Sequence, residues 1–162
     1  MTTTHSMERT LVLLKPDAIE RTLIGRIIAR FEDKGLRIAG LKMMRLSAEL
    51  LDEHYGHLKE LPVFPKIVAF MMSAPVVAMC IEGLEAVQVV RSMCGVTRSR
   101  TALPGTIRGD LGMSIRSNLV HASDSPETAA IEIRRFFAET ELFAYERRLD
   151  ALIHIPDKPG PD

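Results

Sequence analysis

His121 is the residue whose type and surroundings point most directly to chemistry. It follows the apolar residues 119–120 and precedes the segment 125–127, Ser-Pro-Glu, a pattern typical of a helix start. A neutral imidazole is nucleophilic near pH 7, and the amide donors of a helix start attract phosphate. His121 could therefore accept a phosphoryl group, with Glu132 orienting its ring. On position alone, however, a structural histidine is the commoner case, and a glutamate on a helix is usually solvated.

An arginine-rich segment indicates a partner that carries oxyanions. Residues 91–116 contain five arginines and one acid, Asp110. No glycine-rich loop of the GxxxxGK[ST] or GxGxxG type is present, so phosphates would be held by side chains. Arginine binds oxyanions through paired hydrogen bonds, and hydroxyl groups complete the donor set, so Arg91, Thr97 and Arg108 suit this role. The alternative is a solvated face or ion pairs between subunits.

The remaining histidines and the cysteines give weaker signals. His54 and His57 have a spacing that metal sites use, but no third ligand is apparent, and we predict no zinc site. Tyr55 beside them stays ambiguous on sequence grounds. Cys80 and Cys94 lie in apolar surroundings without a CxxC pair. We therefore predict no disulfide scaffold and a reducing compartment, the cytoplasm.

The elements that position these residues follow from the hydrophobic pattern. Residues 10–14 form an apolar run that ends at a proline, which predicts a buried strand. Residues 24–31 carry one apolar helical stripe before Gly35. Further strands are predicted at 37–46, 75–81 and 118–121, and further helices after Ser47 and at 64–73, 84–93 and 125–137. Residues 96–117 show no regular period, and loops of that length are usually functional.

The length and composition are typical of one globular domain. The chain has 162 residues, of which 46% are hydrophobic and 26% charged. We predict a domain over residues 8–150, with an N-terminal tail at 1–7 and a C-terminal tail at 151–162. Basic and acidic residues both number 21, so we expect no general attraction to nucleic acid or to an anionic membrane. The apolar runs are also too short to span a bilayer.

Five segments together resemble the nucleoside diphosphate kinases, in order and at the family's spacing. They are residues 8–10 (Glu-Arg-Thr), 15–17 (Lys-Pro-Asp), 54–55 (His-Tyr), 105–110 (Gly-Thr-Ile-Arg-Gly-Asp) and 118–125 (Asn-Leu-Val-His-Ala-Ser-Asp-Ser). The resemblance covers residues 7–145, and the last two segments recur together in little else. It implies a kinase that transfers the γ-phosphate of ATP to nucleoside diphosphates, with broad tolerance of base and sugar.

The resemblance also implies a role for each matching residue. His121 resembles the phosphate acceptor of a ping-pong cycle, Glu132 and Ser123 the pair that fixes its ring, and Tyr55 a neighbour of the reacting phosphate. The implied nucleotide contacts are Arg91, Thr97 and Arg108 on the phosphates, Lys15 and Asn118 on the ribose, and Val63, Ile67 and Ile115 at the base. The nucleotide phosphates would coordinate Mg²⁺ without a direct protein ligand, and Asp124 would contact the ion through water.

Some positions depart from the family pattern. Val63 stands where an aromatic side chain commonly stacks on the base, so we expect weaker stacking and a lower affinity for nucleotides. Residues 98–102, Arg-Ser-Arg-Thr-Ala, replace a turn that makes subunit contacts in the family. The resemblance therefore implies a homo-oligomer but leaves hexamer and tetramer both open.

The fold implied by the resemblance differs from the one that the order of elements favours. The order β-α-β-α-α-β-α, taken alone, favours a parallel, doubly wound sheet. The resemblance implies an α+β, ferredoxin-like fold, a four-stranded antiparallel sheet with helices on one face and a long loop near residues 96–117 closing the nucleotide cleft. A second reading is a nucleotide-binding regulatory protein that kept this fold and lost turnover. An RNA-binding domain of this fold would need basic charge and surface aromatics, and aromatic residues make up only 5%.

Overall fold

A four-stranded sheet forms the centre of the computed structural model, which describes residues 7–155. The strands are β1 (Met7–Leu14), β2 (Arg37–Met44), β3 (Val76–Leu84) and β4 (Val120–Ala122). The helices are α1 (Pro16–Glu20), α2 (Ile24–Asp33), α3 (Ala48–His54), α4 (Phe64–Met72), α5 (Ala86–Cys94), α6 (Ile107–Leu111), α7 (Pro126–Phe136) and α8 (Asp150–Ile153). Single turns of 3₁₀ helix lie at Gly56–Leu58, Ser99–Thr101 and Glu139–Glu141.

The sheet is antiparallel throughout, with the strand order β2-β3-β1-β4. The antiparallel arrangement implied by the resemblance is confirmed, and the parallel sheet that the element order favours is wrong. The reason is that β2 crosses to the far edge and leaves one place beside β1, which β3 fills in the antiparallel direction. β1 and β2 do run the same way, but they are not neighbours. The hydrophobic pattern along a chain does not show whether β2 pairs directly with β1 or whether a third strand lies between them.

Helices cover both faces of the sheet, so the expectation of helices on one face is wrong. Successive strand residues point to opposite faces, and the alternate residues of β1 enter two separate core clusters. Val12 packs in a cluster with Phe31 of α2 and residues of α5. Leu13 packs in the other cluster, with side chains of α3, α4 and α7 such as Leu51 and Ile133. The site described below therefore rests on a sheet that is buried from both sides.

Several element boundaries differ from the predicted ones. β1 begins at Met7, the last residue of the predicted N-terminal tail, and α1 was not predicted, because Pro16 is compatible with a helix start as well as with a strand end. The predicted loop 96–117 contains α6, whose N-cap is Thr106. β4 lies at Val120–Ala122 rather than 118–121.

The predicted tails are only partly covered by the structure. Residues 1–6 and 156–162 lie outside the described residues. The described start of the C-terminal tail carries α8, and His154 accepts a hydrogen bond at Nδ1 from the Leu84 amide at 3.3 Å. This part of the chain therefore packs against the end of β3.

Candidate active site

The imidazole of His121 is held by a chain of three hydrogen bonds that leads back into the sheet. Its Nε2 lies 3.1 and 3.2 Å from the two carboxylate oxygens of Glu132 on α7. The Ser123 hydroxyl donates to Glu132 Oε2 at 2.5 Å, and the same hydroxyl oxygen accepts from the Leu11 amide of β1 at 3.2 Å. β4 and α7 thus bring His121, Ser123 and Glu132 together, three residues that the resemblance groups around the ring.

This arrangement sets the proton on the ring of His121. Burial acts to raise the pKa of the Glu132 carboxyl, but the hydrogen bonds from His121 and Ser123 outweigh it, and the pKa is lowered. An ionised carboxylate only accepts hydrogen bonds, so Nε2 of His121 carries the proton that it donates to Glu132. The other ring nitrogen, Nδ1, then keeps a free lone pair.

His121 lies on the wall of a cleft of about 700 Å³. The predicted site residues that line the cleft are Lys15, Tyr55, Arg91, Thr97, Arg108, Asn118, His121, Asp124 and Glu132. Three of these side chains are cationic, and they come from the end of β1, from α5 and from α6. The cleft therefore offers positive charge close to a free imidazole nitrogen.

Lys15 and Asn118 form a pair at one side of the cleft. The Lys15 ammonium donates to Asn118 Oδ1 at 2.7 Å. The side-chain amide nitrogen of Asn118 donates to the carbonyl oxygens of Thr97 and Ile115 at 3.1 and 3.0 Å. Burial, with the nearby Arg108 guanidinium, lowers the pKa of Lys15 to about 8. The pair is thus held in place by the long loop, with a lysine charge that is lost in mildly alkaline solution.

The two arginines assigned to phosphate binding have different surroundings. Arg108 donates three hydrogen bonds, to the carbonyl oxygens of Gly95, Asn118 and Val120 at 2.6, 3.2 and 2.7 Å. It therefore ties α6 to β4 and to the end of α5. Arg91 is exposed and pairs with Asp124, whose side chain is 78% exposed. Arg91 is free to exchange this partner for a phosphate at little cost, because an exposed ion pair is weak.

A strained turn at Leu119 directly precedes β4 and fixes the position of His121. Leu119 has a φ of 74°, and the Val120 amide donates to the Asn118 carbonyl at 2.9 Å across the turn. The Leu119 carbonyl accepts from the Lys15 amide at 2.8 Å, and its amide donates to Asp17 Oδ2 at 3.1 Å. These hydrogen bonds hold a conformation that a leucine otherwise rarely adopts.

His54 and Tyr55 pack against the ring of His121. The ring centroids of His54 and Tyr55 lie 4.7 and 6.3 Å from that of His121. Burial, with the nearby His121, lowers the pKa of His54 to about 3, and burial together with Glu132 raises the pKa of Tyr55. Both side chains are therefore neutral near pH 7.

A metal site at this group does not fit the charges around it. Ligand-type atoms of His54, His121 and Glu132 lie within 4.8 Å of one another. However, the guanidinium of Arg135 lies 3.3 Å from Nδ1 of His54, and a fixed cation there opposes a divalent ion. The structure thus joins His54 to His121 and Glu132, whereas the sequence pattern groups it with its neighbours Tyr55 and His57.

Two charged side chains of this cleft, Glu53 and Arg135, are not among the predicted site residues. Arg135 follows Glu132 by three residues, so a helix places both on one face, and this spacing was the available signal. Conversely, the three predicted base contacts lie outside the cleft lining. Val63 precedes α4, Ile67 packs against the core cluster of Leu13, and Ile115 is exposed.

No helix among the described residues 7–155 has the length and apolar character that crossing a membrane would require.

Comparison with known proteins finds relatives along most of the chain. The sequence model of the family "Nucleoside diphosphate kinase" matches residues 8–142. A nucleoside diphosphate kinase of Parabacteroides distasonis is 57% identical over 140 residues, which are 86% of this chain and 92% of the relative. One of Carboxydothermus hydrogenoformans is 49% identical over 148 residues, 91% of this chain and 99% of the relative. A halophilic nucleoside diphosphate kinase from Halobacterium salinarum, solved in complex with CDP, has a TM-score of 0.90 and 42% identity, covering 93% of this chain and all of that one.

Proposed function

Because this chain belongs to the nucleoside diphosphate kinase family, we propose that it passes the γ-phosphate of ATP to nucleoside diphosphates through a phosphohistidine at His121. Membership of the family establishes an enzyme that transfers phosphate between nucleoside triphosphates and diphosphates. The covalent intermediate and the ping-pong order are the proposed part. They rest on the geometry of one ring.

The observation that carries the proposal is the hydrogen bond from Nε2 of His121 to Glu132. It leaves Nδ1 as the nitrogen with a free lone pair, and no hydrogen bond to Nδ1 forms among residues 7–155. A nucleophile oriented by a carboxylate, which is itself fixed by Ser123, is the arrangement that covalent catalysis requires. Glu132 also stabilises the positive charge that the ring acquires when Nδ1 is phosphorylated.

The proposed reaction has two balanced steps. The lone pair of His121 Nδ1 forms a bond to the γ-phosphorus of ATP, while the bond from that phosphorus to the β–γ bridging oxygen breaks and ADP leaves with the electron pair. A terminal β-phosphate oxygen of a second nucleoside diphosphate then attacks the phosphorus, and the N–P bond breaks to restore the imidazole. Lys15, Arg91 and Arg108 line the cleft and offset the charge on the phosphate oxygens.

Mg²⁺ fits this cleft as a companion of the nucleotide. The exposed Asp124 carboxylate lies beside Arg91 on the cleft wall, and Mg²⁺ commonly uses one carboxylate, substrate phosphates and several waters. Asp124 would hold the ion through water, and the bound ion would neutralise phosphate charge. The protein side chains named above orient the substrate and the imidazole.

We further propose that the cleft accepts nucleotides with several different bases and with either ribose or deoxyribose. The Halobacterium salinarum relative was solved with CDP, a pyrimidine nucleotide. The polar groups paired here, Lys15 and Asn118, suit hydroxyl groups of a ribose. The base contacts that the resemblance implies, Val63, Ile67 and Ile115, lie outside the cleft lining and are apolar, so they offer no side-chain hydrogen bond that would select one base edge.

An oligomer of identical chains is also proposed. β2 is an edge strand of the sheet, and it exposes Leu41 and Met43 by 51% and 56%. An apolar edge strand is a surface that proteins usually cover. Light scattering coupled to size exclusion distinguishes a hexamer, a tetramer and a monomer.

The two free, buried cysteines, Cys80 and Cys94, agree with a cytoplasmic location.

The proposed mechanism is tested by incubating the protein with ATP and Mg²⁺ in the absence of an acceptor. We expect the intact mass to increase by one phosphoryl group, the adduct to be acid-labile, and UDP to remove it with formation of UTP. The His121→Ala variant serves as the matched control and should bind nucleotide but form no adduct. Nucleotide binding by the wild-type protein without an adduct and without UTP would instead indicate a receptor that has lost turnover.

A further inference from the structure

Arg135 lies beside the pair of His121 and Glu132, and the resemblance gives it no role. Its side chain is only 13% exposed. Its Nε donates to Glu53 Oε1 at 2.9 Å, and its Nη1 lies 3.3 Å from Nδ1 of His54. The arginine on α7 thus links the exposed end of α3 to an imidazole that packs against His121.

The contact with Arg135 defines the tautomer of His54. A guanidinium has five N–H donors and no acceptor, so Nδ1 of His54 must accept this hydrogen bond. The proton of the neutral ring is then on Nε2. That nitrogen is buried and has no hydrogen-bond partner among the described residues. A buried N–H without a partner is unfavourable, so this tautomer is maintained against a cost.

The other tautomer of His54 would compete with His121 for a carboxylate. Nδ1 of His54 lies 3.7 Å from Glu132 Oε1, the same oxygen that lies 3.1 Å from Nε2 of His121. With a proton on Nδ1, a small movement of the carboxylate would form a hydrogen bond to His54 and weaken the one to His121. The Nε2 of His54 would then be a bare lone pair instead of a buried N–H.

We propose that Arg135 is a positioning residue, which holds His54 in the tautomer that cannot donate to Glu132 and so reserves this carboxylate for His121. The inference rests on the proposed function, because it concerns the orientation of the proposed phosphate acceptor. It assigns to Glu53 the role of holding the guanidinium in place. It also accounts for the proton on Nε2 of His54, which is buried without a hydrogen-bond partner among the described residues.

Arg135 also opposes the protonation of His54. Burial is the main cause that lowers the pKa of His54 to about 3, and the positive charge of Arg135 acts in the same direction. The ionisable groups that face His54 are His121 on β4, Glu132 and Arg135 on α7, and His57 in the 3₁₀ turn. Without Arg135, protonation becomes easier, and a His54 imidazolium would pair with Glu132.

The experiment compares Arg135→Met with Arg134→Met, its exposed neighbour on α7. Nitrogen-15 NMR of histidine-labelled protein without nucleotide reports the tautomer of each ring. We expect Nε2–H on His54 in the wild type and in Arg134→Met, and a shift toward Nδ1–H in Arg135→Met. The phosphorylation rate by ATP should fall about five- to tenfold in Arg135→Met, the effect of one weakened hydrogen bond, with an unchanged KM for ATP.

A double-mutant cycle with His54→Phe separates positioning from a general loss of packing. Phenylalanine keeps a ring at this position but removes the competing nitrogen, so Arg135→Met should have no further effect on the rate in this background. An equal loss of rate in both backgrounds, or an unchanged His54 tautomer in Arg135→Met, would overturn the inference. Neither result bears on the proposed function, which instead fails if the wild-type protein forms no adduct.

Discussion

At the scale of single residues, the orientation of the His121 ring depends on the charge of Glu132. This carboxylate receives hydrogen bonds from both His121 and Ser123, and Ser123 is in turn fixed by the Leu11 amide of β1. A charged acceptor holds the ring more strongly than a neutral one, because charge-assisted hydrogen bonds are shorter and stronger. The orientation of the nucleophile thus depends on one ionised side chain.

Glu132→Gln is predicted to slow phosphorylation of His121. The amide keeps the size of the side chain but loses the charge, and a hydrogen bond to a charged group contributes about 1.5–3 kcal/mol, so we expect a roughly 10- to 100-fold lower rate. Rapid-quench measurement of adduct formation at saturating ATP checks this. Glu127→Gln, at an exposed acid in the first turn of the same helix, is the control. A rate within twofold of wild type for Glu132→Gln would contradict the role of the charge.

The charge of Lys15 predicts how nucleotide binding depends on pH. Burial, together with Arg108, lowers the pKa of Lys15 to about 8, so the free enzyme loses this charge as the pH rises through that value. A bound phosphate favours the protonated lysine, and affinity should therefore fall above pH 8, by at most about tenfold per pH unit for one linked proton. Calorimetric titration of ADP between pH 7 and 10 checks this. Lys15→Arg should bind with a flat profile, whereas a profile like that of the wild type would show that another group titrates.

Replacing Val63 with an aromatic residue is predicted to increase the affinity for nucleotides. The base contact that the resemblance implies at residue 63 would let an aromatic side chain stack on the base, so on this proposal Val63→Phe should bind ADP more tightly, by no more than about 1–2 kcal/mol for one aromatic contact. Fluorescence titration of the two proteins with a labelled nucleoside diphosphate measures the difference. Equal affinities would mean that residue 63 does not contact the base.

At the scale of elements, the turn between α6 and β4 places the nucleophile. Its central residue, Leu119, keeps a positive φ because the Lys15 amide and the Asp17 carboxylate hold both of its polar backbone groups. β1 continues directly into Lys15 and α1. The end of β1 thus contributes Lys15 to the cleft and Asp17 to the turn two residues before His121.

Asp17→Ala is predicted to destabilise the fold. It leaves the buried Leu119 amide without an acceptor, which costs about 1–3 kcal/mol, and the loss should appear as a lower midpoint in urea unfolding. Asp17→Asn keeps an oxygen acceptor and removes a buried charge, the burial of which raises the pKa of this carboxyl. It should therefore lose less stability than Asp17→Ala. Equal losses in the two variants would show that the acceptor does not hold the turn.

Helices with a clear apolar stripe or a clear cap are predictable from the sequence. α2 and α7 were predictable from an apolar stripe and from the Ser125 cap, which accepts a hydrogen bond from the Thr128 amide. α6 was not, because it has five residues and its cap at Thr106 lies among turn-forming residues. The contacts of Arg135 also could not be predicted, since they depend on the packing of α3 against α7.

At the scale of the whole molecule, the sheet topology was the main point that the order of elements alone got wrong. The alternation of strands and helices is typical of a parallel, doubly wound sheet, whereas β3 lies between β1 and β2 and runs antiparallel to both. The motif around residues 118–125 indicated the antiparallel fold because it resembles a known family. The chain has no net charge, and the attraction for phosphate is a local property of the cleft.

The phosphohistidine mechanism is tested most directly by identifying the atom of His121 that carries the phosphate. The protein is labelled with nitrogen-15 in its histidines, phosphorylated with ATP and Mg²⁺, and examined by NMR for coupling between phosphorus and nitrogen. We expect coupling to Nδ1 of His121, with the proton still on Nε2 toward Glu132. Phosphate on Nε2, on another histidine or on none would contradict it.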